Sequence, residues 1–164
     1  MDTQLQPGTI RMTPVRKRLE ARLYLFQAAA GEGKNQTVVV DLNNHFSFGT
    51  IAVNDWLVYD SLGPNKRVVA HAQGTQVHVL NSPGERWKTD IFFVFENDGL
   101  KGSTLEVRGS SVTEVGEWAI VGGTGEFARA EGIMYKKVVQ DFGNNRRMVE
   151  LNIDATYGPS SKWT

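Results

Sequence analysis

The chain has 164 residues, with 18 Lys and Arg against 18 Asp and Glu for a formal charge of +0. That length fits one domain, and the charge balance gives no large field for holding a nucleic-acid backbone or an anionic membrane. There is no cysteine, which removes disulfides, thiolate zinc sites and cysteine nucleophiles.

Residues 1–20 are polar, basic at Arg16, Lys17 and Arg18, and hold no apolar stretch of signal-peptide or membrane-helix length. They are expected to form an arm ahead of a domain spanning 21–158, in a soluble, cytoplasmic protein. From Arg22 onward, short β-branched and aromatic runs are punctuated by Gly, Asn, Asp and Pro without a sustained 3.6-residue apolar stripe, so the chain reads as all-β. Strands are predicted at 23–27, 37–42, 46–60, 67–80, 90–96, 103–108, 118–121, 133–139 and 146–157. Asn35-Gln36-Thr37 matches the glycosylation acceptor pattern, which a chain that is not secreted leaves unused.

Within 90–96, Ile91-Phe92-Phe93-Val94-Phe95 is apolar on both faces, so one face fills a core and the other calls for cover by a second copy. The last strand alternates most clearly. Arg147, Val149, Leu151, Ile153, Ala155 and Tyr157 share one face, and Arg146, Glu150, Asn152 and Asp154 the other. Gly63-Pro64-Asn65, Ser82-Pro83-Gly84, Asn97-Asp98-Gly99 and Gly143-Asn144-Asn145 supply turn residues for antiparallel hairpins. Eight such strands hide their edges by closing into a barrel, with room for about one small ligand. Residues 159–164 read as the start of a linker.

The glycines of Gly122-Gly123-Thr124-Gly125 are not followed by the Lys and Ser or Thr of a phosphate loop, nor do they open a helix. They predict a tight strand-to-strand turn. His71 and His78 fall on opposite faces of one strand, so they form no local metal pair, and with His45 they read as structural. Asp41, Asp55, Asp60, Glu96 and Asp154 read as solvated strand ends; a pair meeting inside the barrel would be the acid–base alternative. Trp56, Trp87, Trp118 and Trp163 offer either core packing or a platform for a sugar or planar aromatic ring.

Three motifs occur in a familiar order: Phe48-Gly49-Thr50 with Val53 and Asp55; Ala72-Gln73-Gly74; and Ala119-Ile120-Val121-Gly122-Gly123-Thr124-Gly125-Glu126-Phe127 with Ala130 and Gly132. Across residues 21–158 the chain resembles the dirigent proteins of plants. The resemblance implies an all-β, closed eight-stranded antiparallel β-barrel of the dirigent and allene-oxide-cyclase-like type, in a family that guides stereoselective coupling of phenoxy radicals. The family's first-strand His-Asp pair corresponds here to Phe26 and Gln27, and an amide is neither acid nor base near neutral pH. Arg108 corresponds to an arginine ahead of the glycine-rich motif, without its aspartate.

Lacking a signal segment, the chain is similar to the N-terminal dirigent domain of grass chimeric lectins, and residues 160–164 to the junction with their jacalin-related domain. The expectation is therefore a non-catalytic, cofactor-free binding module of a plant defence lectin, self-associating as a dimer or trimer. Its ligand is expected to be an oligosaccharide held by Gln27, Asp55, Trp56, Arg108 and Trp118. The alternatives are guidance of radical coupling on a small phenolic ligand, and an oligomerisation module that raises lectin avidity.

Overall fold

Alternation of inward apolar and outward polar side chains organises nine strands: β1 (Lys17–Ala28), β2 (Gln36–Val40), β3 (Ile51–Tyr59), β4 (Val68–His78), β5 (Trp87–Phe95), β6 (Thr104–Ser110), β7 (Val115–Thr124), β8 (Glu131–Asp141) and β9 (Arg146–Tyr157). The structure, a computed structural model, describes residues 7–8, 16–111 and 113–158. Every strand pairing is antiparallel, in the order β1-β9-β8-β7-β6-β5-β4-β3-β2. β1 also meets β3 through Tyr24–Tyr59, Leu25–Val58 and Phe26–Leu57. That seam closes an eight-stranded barrel and leaves β2 as an extra strand laid along β3. Among the described residues there is no α-helix.

The barrel's middle is solid. Leu25, Trp56, Val58, Ile91, Phe93, Leu105, Val107, Trp118, Met134 and Leu151 are buried there, each contributing roughly 1.5–3 kcal/mol by leaving water. The Trp56 and Trp118 rings stack 6.5 Å apart, 8° from parallel. Ile91, Phe93 and Phe95 point inward as their alternation requires, while Phe92 stands on the outer face at 36 % exposure. The predicted turns all occur as turns, with Gly84, Gly99 and Gly143 at φ 116°, 82° and 73°.

Several boundaries differ from expectation. β1 starts at Lys17, not after an arm ending at 20, because Arg16, Lys17 and Arg18 pair with Glu131, Glu126 and Asp154 across the sheet. The predicted strand 46–60 begins only at Ile51. Phe46 and Ser47 have positive φ in a 3₁₀ turn, His45–Ser47, so the Phe46/Phe48 alternation imitates a strand without being one. Gly122, Gly123 and Thr124 are the end of β7, and the reversal falls one step later, at the 3₁₀ turn Gly125–Phe127. The register slips between Glu106 and Val107 where β6 meets β7, which re-aims the glycine segment. The sequence-predicted linker 159–164, with Trp163, and residues 1–6 and 9–15 of the arm lie outside the described residues.

The β3–β4 connection is clipped by Asp60. Its carboxylate accepts from the Arg67 backbone N–H at 3.0 Å, Arg67 Nε at 3.1 Å and Ser61 Oγ at 3.2 Å. The backbone bond foremost, with the side-chain donors and against a smaller effect of burial, holds this carboxyl below its ordinary 3.8. A carboxyl depressed on folding adds stability above its unfolded pKa, and that stability is lost as pH falls through the folded value. In an acid titration of the urea midpoint, the wild type should therefore lose more stability below 3.8 than Asp60→Asn. Parallel curves would mean the clip contributes nothing.

Candidate functional site

Polar residues placed in phase with the core collect at one end of the barrel. Gln27 follows Leu25 on β1, Gln76 and His78 end β4, Lys136 lies between Met134 and Val138 on β8, and Arg147 precedes Val149 on β9. Gln27, Gln76, Lys136 and Arg147, with Gln36, Trp87, Ser111, Thr113, Trp118 and Asn145, line an open-mouthed cavity of about 350 Å³. That volume lies within the range of small-molecule sites. Its floor is the edge of the Trp118 side chain, held by Nε1 donating to the Ser110 carbonyl at 3.0 Å.

The walls are hydrogen-bonded in place. Gln76 Nε2 donates to Thr89 Oγ1 at 3.2 Å, and Thr89 in turn bonds Ser111. Gln36 accepts from Trp56 Nε1 at 2.8 Å, tying β2 to the core. Asn35 fixes the chain between β1 and β2: Oδ1 accepts from Ala28 N at 2.8 Å and Nδ2 donates to Phe26 O at 2.9 Å. Lys136 Nζ donates to Thr113 O at 2.7 Å. Arg147 carries a permanent charge beside it, with Asp141 at 3.7 Å on its far side. Glu85, at the mouth, is the one carboxylate among the lining residues.

Of the five residues expected to form a site, the cavity brings together Gln27 and Trp118. Trp56 is fully buried and has no ring face to offer. Asp55 and Arg108 stand on the outer wall, where Asp55 meets His71 at 2.7 Å and Arg108 meets Asp90 at 3.3 Å. The reason is strand geometry: Asp55 neighbours inward Trp56, and Arg108 neighbours inward Val107, so each must point outward. Arg108 therefore does not supply the cavity's cation; Arg147 and Lys136 do, and sequence reasoning had not selected either. The signal was their phase with Val149 and with Met134.

The remaining candidates are scattered. His71 faces outward and His78 inward, as the alternation requires. His78 is 2 % exposed, accepts from Arg86 N at 3.4 Å and meets the edge of Trp87, a packed structural histidine. His45 packs on Phe46 in the 3₁₀ turn. Among Asp41, Asp55, Asp60, Glu96 and Asp154, none lines this cavity. Asp60 and Glu96 instead rim a second, more apolar cavity of about 550 Å³ among Leu19, Ala21, Leu23, Phe95 and Phe127, at the barrel's opposite end. Among the described residues no group of three His, Asp or Glu is disposed to hold a metal ion.

Residues 19–156 match the family profile described as dirigent-like protein. The solved structure of the pterocarpan synthase dirigent protein GePTS1 superposes with a TM-score of 0.78 at 23 % identity, covering 92 % of this chain and 100 % of that one. The pterocarpan synthase dirigent protein PsPTS1 gives 0.78 at 23 %, with 88 % and 97 % covered. A pyocyanin demethylase shares the architecture more distantly, with a TM-score of 0.56, 15 % identity and coverages of 81 % and 98 %. No curated protein matches the chain. At these identities the solved structures establish the fold.

Proposed function

This chain belongs to the dirigent-like protein family, and from that premise we propose that its polar-mouthed cavity takes a small phenolic ligand and orients it for stereoselective coupling. The supporting observation is the pairing of an aromatic floor, Trp118, with fixed donors on one side of the mouth, above all Arg147. A flat ring rests on the indole edge of Trp118 beside the partly exposed Trp87, and the guanidinium donates to the oxygen of a phenol or phenoxy radical. The oxidation that makes the radical occurs outside the protein. Gln27, Gln36 and Gln76 exchange no protons near neutral pH, so the cavity's part is to position its ligand.

An oligosaccharide has less to hold it here. The five side chains expected to grip a sugar do not meet: Trp56 is fully buried, and Asp55 and Arg108 stand on the outer wall.

The test is oxidation of coniferyl alcohol by a one-electron oxidant with and without the protein, followed by chiral chromatography of the dimers. An excess of one enantiomer is expected; racemate at saturating protein would sink the proposal. Arg147→Leu removes the charged donor and is expected to weaken phenolic binding about tenfold or more, as loss of a charge-assisted hydrogen bond does. Titration calorimetry on the two proteins checks this, and equal affinity would remove Arg147 from the site.

A further inference from the structure

Lys136 is the cavity group to which positioning a phenol gives no task. It is 6 % exposed, its Nζ donates to the Thr113 carbonyl at 2.7 Å, and it stands 5.7 Å from the Trp118 ring centre. Among the described residues it has no ion-pair partner, whereas Arg147 has Asp141. An ammonium group withdrawn from water is normally paired, because desolvating an isolated charge is costly. Burial first, and the charge of Arg147 second, push this amine below its ordinary 10.5. A lysine desolvated beside a second cation is the setting in which an amine becomes a nucleophile toward carbonyl carbon.

We propose that Lys136 is a carbonyl-capturing site: an aromatic aldehyde entering the cavity sets its ring on the edge of Trp118 beside Trp87 and forms a reversible imine with Nζ. The nitrogen lone pair adds to the carbonyl carbon, one proton passes from nitrogen to oxygen to give the carbinolamine, and a second follows as the carbon–oxygen bond breaks, the carbon–nitrogen double bond forms and water leaves. Amine and aldehyde thus give imine and water, with no change of oxidation state. Arg147 faces the same space and donates to the oxygen as charge develops on it. The volume of about 350 Å³ suits a ligand of one ring. The exposed Lys137, next along β8, points away and has none of these features.

The experiment incubates the full chain with para-hydroxybenzaldehyde and cyanoborohydride at neutral pH and maps the reduced adducts by peptide mass spectrometry. Lys136 is expected to be labelled several-fold faster than Lys137, because the cavity holds the aldehyde beside Nζ while an exposed lysine meets it only by collision. Excess para-hydroxybenzyl alcohol, which fills the cavity without reacting, should slow Lys136 and leave Lys137 unchanged. Lys136→Arg should lose the fast phase and keep the slow surface labelling. Labelling of Lys136 no faster than Lys137 in the wild type, or indifferent to the alcohol, would overturn the proposal. No oxidant or coupled product is involved, so the outcome is independent of the coupling assay.

Discussion

Trp56→Ala is expected to lower the unfolding free energy by about 3–5 kcal/mol, the usual cost of truncating a buried aromatic to a methyl. Three losses coincide at this site. The side chain is fully buried, so its whole apolar area is forfeited and the rigid barrel cannot collapse into the space. Its stacking on Trp118 at 6.5 Å disappears, worth roughly 0.5–1.5 kcal/mol beyond area. The Gln36 side chain loses the indole N–H it accepts at 2.8 Å, which loosens β2 from the core. Trp87→Ala, at a partly exposed position, should cost clearly less. Urea unfolding followed by circular dichroism decides; a loss below about 1 kcal/mol for Trp56→Ala would contradict the packing described.

The second large effect is expected where two adjacent glycines behave oppositely. A Cβ on Gly123 would stand 2.3 Å from the Phe127 carbonyl oxygen and 2.7 Å from that of Thr104. Both are backbone atoms, so neither can swing aside, and either the end of β7 or the Gly125–Phe127 turn must shift. Gly123→Ala should cost ~4 kcal/mol or more, or prevent soluble folding. On Gly122 the nearest atoms are the Glu106 side-chain carbons at 3.5 and 3.6 Å, ordinary contact distances. Gly122→Ala should be neutral within about 1 kcal/mol, since alanine also restricts the unfolded chain. Thermal melts of the two variants side by side give the answer, and equal behaviour would mean that backbone approach does not set the identity of this segment.

These contrasts mark how far the sequence could be read. Alternation identified β9 with its faces, and the opposite orientations of His71 and His78, because period two survives wherever a strand is straight and half-buried. The three motifs pointed to the barrel. Alternation failed at 46–50, where Phe46 and Ser47 adopt φ of 65° and 57°, conformations that their residue types do not announce. Alternation also constrains the site. Asp55 beside Trp56 and Arg108 beside Val107 cannot share an inward face, so period two alone excludes a site built from Asp55, Trp56, Arg108 and Trp118 together.

The cavity's own residues were visible as polar side chains in phase with apolar ones: Gln27 with Leu25, Lys136 with Met134, Arg147 with Val149. What no single strand carries is that these positions fall at the same end of the barrel. That depends on the stagger between neighbours, set partly by irregularities such as those between Val138 and Gln140 and between Val58 and Tyr59.

The pairing of β1 with β9 along its whole length, Lys17 against Tyr157 to Ala28 against Arg146, dictates when this domain acquires its shape. The first strand's main partner is the last strand of the barrel in chain order, so until β9 has emerged residues 17–141 form at most an open sheet with raw edges on β1 and β8. Barrel closure joins segments far apart along the chain, and such topologies fold at the slow end of the range for their size.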